Sequence, residues 1–321
     1  MAFKEINNQK DWDQLVSKQG SCFMQTWDWG EFRKRMKIPV FRLNSNNSAF
    51  QIEKRKLPFG FSYLYLSGSN FLKKDLGEIK SLAKKEKAVF FKIEPLNSSF
   101  KPFDGLKPST PIQPKNTLVL DISPKEEGLF SSLHKKHRYN IRLAKKKNIK
   151  IKELKEKKEF DAFYALVKKT DQRKKIKSFS ENYYKELFNL SQKDKNLKIV
   201  FLGSFLKKKL VACLILVVWK DRATYLVGAS DYAFRKYMAP HLLQWHAIKL
   251  AKKLGAKKYD FWGVIRRSDF SSEKEFEHHP WAGITRFKEG FGGKEISFVG
   301  AYNYVFLPFW YFIYSLIKRL K

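Results

Sequence analysis

Cysteine is nearly absent: the 321 residues contain two, Cys22 and Cys213, each inside an apolar stretch and far from the other in sequence. That excludes a disulfide scaffold or a cysteine metal cage and leaves both as small buried hydrophobes. The six histidines lack the spacing of a zinc site, since His278 and His279 are adjacent and His241 and His246 stand five apart on a helical stretch, so no metal is expected. A G-x-S-x-G elbow, a paired Cys/His arrangement and a Walker loop are all missing, which argues against a covalent acyl-enzyme and against an ATP-driven ligase. The opening stretch MAFKEINNQKDWDQL has no apolar run, so it does not read as a secretory signal, and the cytoplasm is the expected compartment. Acidic residues are few beside basic ones, 31 Asp+Glu against 65 Lys+Arg, leaving a net charge of +34. Such a surplus attracts polyanions over a long range, so RNA, phosphorylated substrates and anionic membrane surfaces are candidate partners. A uniform use of lysine across the surface explains the same number.

What is present is apolar and aromatic enough to fold, at 43% and 16% of residues, and the length favours two domains over one core. Short runs such as FSYLYL (61–66) and AVFFKIEP (88–95) read as strands and alternate with helical stretches such as 71–87, an α/β or α+β rhythm. A turn-rich segment then leads to the strand TLVLDIS, which places a domain boundary near 123. Beyond it, LFSSLHKKHRYNIRLAKKKN reads as one basic helix and IKIKEL as a strand. The next helix sets Phe160, Phe163, Leu166 and Val167 on one face. Three strands joined by short polar turns follow over 197–231. A long helix from about Pro240 carries Leu243, Ala247, Leu250 and Leu254 at helical spacing, with Gly255 as its stop, and KKYDFWGV closes the set as a strand. This order matches the core of acyltransferases of the GNAT type, as an analogy of architecture. The turn before the long helix, RKYMAP (235–240), has no glycine and has lost one N–H to proline, so it is poorly built to hold the pyrophosphate of coenzyme A.

Four motifs together resemble the FemABX family of aminoacyl-tRNA-dependent peptidyltransferases that build peptidoglycan side-chain bridges. They are FMQTWDWGEFRK, KKHRYNIRLAKKKNIKI, the run from YLVGASDYAFRKYMAPHLLQWH to YDFWGV, and HPWAGITRFKEGFGGKEISFVGAYNYVF, in the family's order over about residues 23 to 306. The resemblance implies two GNAT-like acyltransferase domains, each a mixed sheet flanked by helices: residues 1–122 with about 297–321, and residues 123–296. No long helical hairpin is visible between 159 and 198, which implies the compact form of the family. The implied reaction is attack by a stem-peptide amine on the ester of an aminoacyl-tRNA. The acceptor would be a UDP-MurNAc-peptide or its lipid-linked descendant, and neither coenzyme A nor a metal is needed.

On this resemblance Lys288, in the FK pair, is the lysine of transfer, an ammonium that stabilises the oxyanion of the tetrahedral intermediate. Phe287 shapes the pocket or fills core. By itself GITRFKEGFGGKE reads as a strand followed by a glycine turn, with Lys288 a solvated lysine on a strand edge. Arg33 lies where the family has a basic residue on the nucleotide-sugar phosphates, with Lys34 and Arg35 as neighbouring alternatives. Tyr183 lies where a tyrosine binds the acceptor, with Tyr184 beside it. A second binding tyrosine of the family's pattern falls on Val227, with Tyr225 as the nearby candidate. Lys135, Lys136, Arg138 and Arg142 are candidates for tRNA phosphates, or form the solvated face of their helix. Asp260 reads as a structural carboxylate before a general base. Residues 306–317 are almost wholly apolar and precede Lys318, Arg319 and Lys321; they pack on the first domain, or lie in the membrane interface and make the protein peripheral at the inner face. Two rivals remain: a GNAT-like N-acyltransferase for another acceptor, and a non-enzymatic RNA-binding protein.

Overall fold

The most apolar run of the chain, KLVACLILVVW, folds as a strand, Lys209–Trp219, buried along ten of its eleven residues. A strand covered on both faces needs a sheet with helices above and below. The computed structural model describes residues 4–45, 48–69, 71–96, 98, 100–176, 178–193 and 195–319. It forms two units, Met1–Lys115 with Ser297–Lys321, and Asn116–Ile296. In the first, strands β1 (Lys4–Glu5), β2 (Val40–Ser45), β3 (Ser48–Lys56), β4 (Ser62–Ser67), β5 (Ala88–Glu94) and β6 (Leu106–Ser109) are joined through helices α1 (Gln9–Lys18), α2 (Trp27–Arg35) and α3 (Leu76–Lys85). The second begins with β7 (Asn116–Asp121), α4 (Glu126–Ser132), α5 (Lys135–Lys146), β8 (Ile149–Glu153), α6 (Lys157–Lys174) and α7 (Glu181–Ser191). The meander β9 (Lys198–Leu206), β10 (Lys209–Trp219) and β11 (Arg222–Ser230) follows. It leads to α8 (Ala239–Lys253), β12 (Lys258–Asp260), α9 (Glu273–His278), α10 (Ala282–Glu289) and β13 (Lys294–Ser297). The chain then returns to the first unit as β14 (Ala301–Val305) and α11 (Pro308–Arg319).

The two sheets run β1-β2-β3-β4-β5-β14-β6 and β13-β7-β12-β11-β10-β9-β8. Each repeats one plan. Three antiparallel strands are followed by a helix that crosses to a parallel fourth: β2-β3-β4-α3-β5 in one unit, β9-β10-β11-α8-β12 in the other. In each, the fourth strand gains an antiparallel neighbour from a distant part of the chain, β14 on β5 and β7 on β12. The first core packs Phe50, Ile52, Leu64, Leu66, Phe91 and Ile93 against Phe71 and Ile79. In the second, alternate β10 residues (Ala212, Leu214, Leu216, Val218) face α5 and α8 across Ile141, Ala144, Ile248 and Ala251. The opposite face meets α6 and α7, where Phe163 packs edge-on to Phe201 with centroids 5.0 Å apart.

Several expectations need correction. The strand containing TLVLD pairs with β12, so it belongs to the second unit and the division falls at 115/116, not 122/123. The basic stretch from 129 is two helices. The chain breaks at Leu133, in extended backbone, and His134 caps α5 by accepting from the Lys136 N–H. A histidine is an unusual cap, which hides the break from a pattern of Ser, Thr, Asp and Asn caps. Residues 282–289 are a helix and not a strand, so Lys288 sits on no strand edge. Gly255 follows α8 at φ +91 as expected, but Leu254 is exposed and not on the buried stripe. The closing segment packs on the first unit, where α11 sets Tyr311 and Tyr314 against Phe90 with centroids 5.3 and 5.0 Å apart.

Candidate active site

The site begins where β12 ends. Asp260 is 1% exposed and accepts hydrogen bonds from the Thr117 hydroxyl, from the Trp262 N–H (2.8 Å) and from Arg222 (3.1 Å). Its bond to the nitrogen two residues on is an Asx turn, and it holds Trp262 at φ +56, a left-handed backbone that costs a bulky L-residue about 1–2 kcal/mol. The turn presents two successive carbonyls to α10. Lys288 donates to both, at 3.0 Å to Trp262 O and 2.6 Å to Gly263 O. One turn earlier on α10, the Thr285 hydroxyl accepts from the Ile265 N–H at 3.2 Å. Ala282, Thr285 and Lys288 form the buried stripe of this helix, at a spacing of three.

Lys288 is therefore an amine inside the protein, 6% exposed. Burial lowers its pKa from 10.5 to about 7; Asp260 raises it and Lys174 lowers it further. The Nζ stands 5.6 Å from the centre of the Tyr225 ring. That ring lines a cavity of about 500 Å³ bounded by the ends of α6 and β11, by β10, by the turn before α8 and by α10. Ile284 and Phe287 are the α10 residues on its wall, and Lys288 lies one ring behind it. A bulge at Leu226 pairs Tyr225 with Leu216 and Val227 with Ile215, which turns Tyr225 and Val227 to opposite faces. Only Tyr225 of the two lines the cavity, which physically separates the candidate from the position two residues on. Gly228 makes room for it: a Cβ there would fall 1.8 Å from the Tyr225 hydroxyl.

Four cations, Arg173, Lys174, Arg235 and Lys236, line the same cavity. Two of them flank one ring, with Arg173 5.2 Å and Arg235 4.4 Å from the centre of Tyr232. Among the described residues the one carboxylate on the wall, Asp231, is paired with Lys169 at 2.9 Å. In the sequence RKYMAP is only a turn without glycine; that its cations face a cavity emerges from the fold alone. Beside Phe287 two histidines from helices a hundred residues apart come together, His241 on the cavity wall and His137 behind it. His137 and His241 lie with ring centres 4.8 Å apart, and both have lowered pKa values through burial, His241 to about 4. His137 Nε2 donates to Phe287 O at 2.9 Å, and the ring fills the space over Gly290, where a Cβ would come within 2.0 Å of it. His137 thus fixes the last turn of α10, while His241, 3.2 Å from Asn140 Nδ2, forms an uncharged part of the cavity wall. Among the described residues no group of three or more His, Cys, Asp or Glu is placed to hold a metal ion.

The other candidates are dispersed. Tyr183 is buried on α7, stacked on Phe179 at 4.0 Å, and is not among the residues lining the cavity. Its neighbour Tyr184 is core beside Phe163. Arg33 lies in the first unit at the end of α2, where Nε and Nη2 donate to Glu53 at 2.9 and 3.0 Å. On α5, Lys135, Lys136 and Arg142 are exposed, Arg142 with its guanidinium 5.2 Å from the Phe130 ring centre. Arg138 instead donates to Ser131 O and Leu133 O at the end of α4, which gives it a structural task.

Comparison with known proteins bears on the family and the fold. The chain matches the model of the FemAB family over residues 101–203 and 201–319. It is 22% identical to the lipid II:glycine glycyltransferase of Staphylococcus haemolyticus (strain JCSC1435), over 83% of this chain and 81% of that protein. Its fold resembles the crystal structure of FemX, with a TM-score of 0.80 at 19% identity over 98% of this chain and 99% of that one. It also resembles a tandem GNAT protein from the clavulanic acid biosynthesis pathway, with a TM-score of 0.53 at 10% identity over 95% and 96% of the two chains.

Proposed function

This chain belongs to the FemAB family, and from that premise we propose that it transfers an amino acid from aminoacyl-tRNA to the stem-peptide amine of a peptidoglycan precursor, the acceptor being a UDP-MurNAc-peptide or its lipid-linked form. The observation that carries the reading is Lys288: a buried amine with a pKa of about 7, one ring behind a cavity whose wall holds four cations. A polyanionic donor suits that wall, and the aminoacyl ester at its end is small enough to enter. The acceptor nitrogen attacks the ester carbonyl, a C–N bond forms, and negative charge collects on the carbonyl oxygen. The ammonium form of Lys288, held behind the Tyr225 ring, stabilises that oxyanion by its charge across the ring. Collapse breaks the C–O bond and the ribose hydroxyl leaves, taking up the proton that the attacking amine has lost. Phe287 and Tyr225 shape the walls around the reacting ester. Arg33 and Tyr183 remain candidate contacts to the acceptor, and Lys135, Lys136 and Arg142 to tRNA phosphates. Pro240 and the glycine-free turn before α8 support a carrier other than coenzyme A.

Incubation with mixed aminoacyl-tRNAs and each acceptor, read by mass spectrometry, is expected to show the acceptor heavier by an amino-acid residue, and ribonuclease should abolish the gain. Transfer from an acyl-CoA in place of charged tRNA would refute the donor. Salt-dependent RNA binding with no transfer to either acceptor would refute the enzyme. The packing of Tyr225 gives a second expected outcome. Gly228→Ala displaces the phenol from its place over residue 228, and transfer is expected to fall about tenfold while the melting temperature changes little, because the intruding atom meets the far end of the Tyr225 side chain and no backbone. A large loss of stability with unchanged transfer per folded molecule would show that Tyr225 packs the core and does not shape the site.

A further inference from the structure

Helix α11 has two sides. Its inner side meets the first unit through Trp310, Tyr311 and Tyr314; Trp310 lies 4.3 Å from Phe61 between ring centres, and both tyrosines lie against Phe90. Its outer side carries Phe309, Phe312 and Leu316 at spacings of three and four, the two phenylalanines 68% and 59% exposed. Beside it projects Phe59, 78% exposed and held at φ 58, a left-handed backbone uncommon for a bulky side chain. Its ring centre is 6.1 Å from that of Trp310. Between the Phe59 turn and α11 lies an apolar cleft of about 220 Å³ with Lys318 at its edge.

The two segments that build this patch carry charge of one sign, and Glu86 next to them is paired with Lys54 at 2.7 Å. Residues 54–74 and 296–321 contain no Asp or Glu, and Lys56 and Lys318 are exposed, Lys318 on the wall of the cleft and Lys56 three residues before Phe59. Exposed aromatics with cations and no carboxylate in the flanking sequence match the chemistry of an anionic bilayer surface, where the rings enter the boundary between headgroups and acyl chains and the cations meet phosphates. A second copy of the chain fits poorly, because a two-fold contact would set the same lysines against each other. Among the described residues no helix is long and apolar enough to cross a membrane, so contact through this patch would be peripheral. We propose that the outer face of α11 and the Phe59 turn form a docking surface for anionic lipid membranes. This does not rest on the transfer reading, since membrane uptake is measured without donor or acceptor.

The full chain is tested by co-sedimentation with vesicles of phosphatidylcholine containing about 30% phosphatidylglycerol and with vesicles of phosphatidylcholine alone. It is expected to bind the former and to bind the latter at least about tenfold more weakly. The double variant Phe309→Ser/Phe312→Ser is expected to lose about tenfold or more of its partition into the anionic vesicles, and Lys56→Glu/Lys318→Glu a similar factor. All these side chains are exposed, so the variants are expected to melt with the wild type and to keep whatever activity it has on a nucleotide-linked acceptor. Equal sedimentation of the wild type and the Phe309/Phe312 variant would overturn the proposal, as would absence of uptake by the anionic vesicles. Dimerisation of the wild type in sedimentation velocity, abolished by Phe312→Ser and accompanied by no vesicle uptake, would assign the face to self-association instead.

Discussion

Replacing Lys288 with methionine is expected to lower transfer by about 10²- to 10³-fold, the scale on which one preorganised oxyanion donor is lost. The same variant is expected to change the pH dependence of stability in a way that no surface lysine could. In the unfolded chain this amine titrates near 10.5, in the folded protein at about 7. Between those values the unfolded chain holds the extra proton, so wild-type stability from this group rises with pH, by about 1.4 kcal/mol per pH unit at most, and levels off outside the window. The methionine side chain does not titrate, so Lys288→Met removes that slope. Thermal melts of both proteins at pH 7 and pH 9 should therefore show the wild type gaining on the variant as pH rises. Where the ammonium is the active form, kcat/KM of the wild type carries an alkaline limb with an apparent pKa of about 7. Transfer by the variant within threefold of wild type would remove Lys288 from the chemistry. A pH-independent stability difference would show that the amine is not buried as described.

Asp260→Ala is expected to cost about 3 kcal/mol of stability, read as a lowered urea midpoint with an unchanged slope. It strips the acceptor from Thr117, which is buried, from Trp262, which is half-buried, and from Arg222, whose partial exposure keeps the cost at the lower end of the range for a broken buried pair. Asp260→Asn separates structure from chemistry. It keeps one oxygen for the Trp262 turn, so the folded fraction is expected to transfer within tenfold of wild type. A folded Asp260→Asn variant slower by about 10² or more would make Asp260 the general base. The same change withdraws the charge that raises the Lys288 pKa, so the alkaline limb is expected to move to lower pH.

The repeated plan of the two units was readable because its strands and helices carry their own periodicity. The meander 198–230 alternates around short polar turns, and Phe160, Phe163, Leu166 and Val167 mark one face of α6. The α10 helix was not readable, because GITRFK offers a glycine, β-branched residues and an aromatic, all of which suit a strand and its turn. What makes it helical is tertiary: Thr285 and Lys288 hold the backbone of the turn after β12, and His137 bonds to Phe287 O. Lys288 itself was singled out only by its family motif, since its burial depends on carbonyls that Trp262 presents from a left-handed backbone. The cations at 173, 174, 235 and 236 belong to two segments about 60 residues apart, and only the fold places them around one cavity.

The position of β14 between β5 and β6 constrains how the protein is made. As the chain leaves the ribosome, the first strands of one sheet appear early, but the strand that joins β6 to them is synthesised after every residue of the other unit. The second unit, encoded without interruption from Asn116 to Ile296, has all its strands available first. Until translation reaches residue 305, β5 presents an unpaired edge of mostly apolar, β-prone sequence, AVFFKIE, to whatever else is in the cell. Of the two units, the one whose first strands are synthesised earlier is therefore the later to close its sheet.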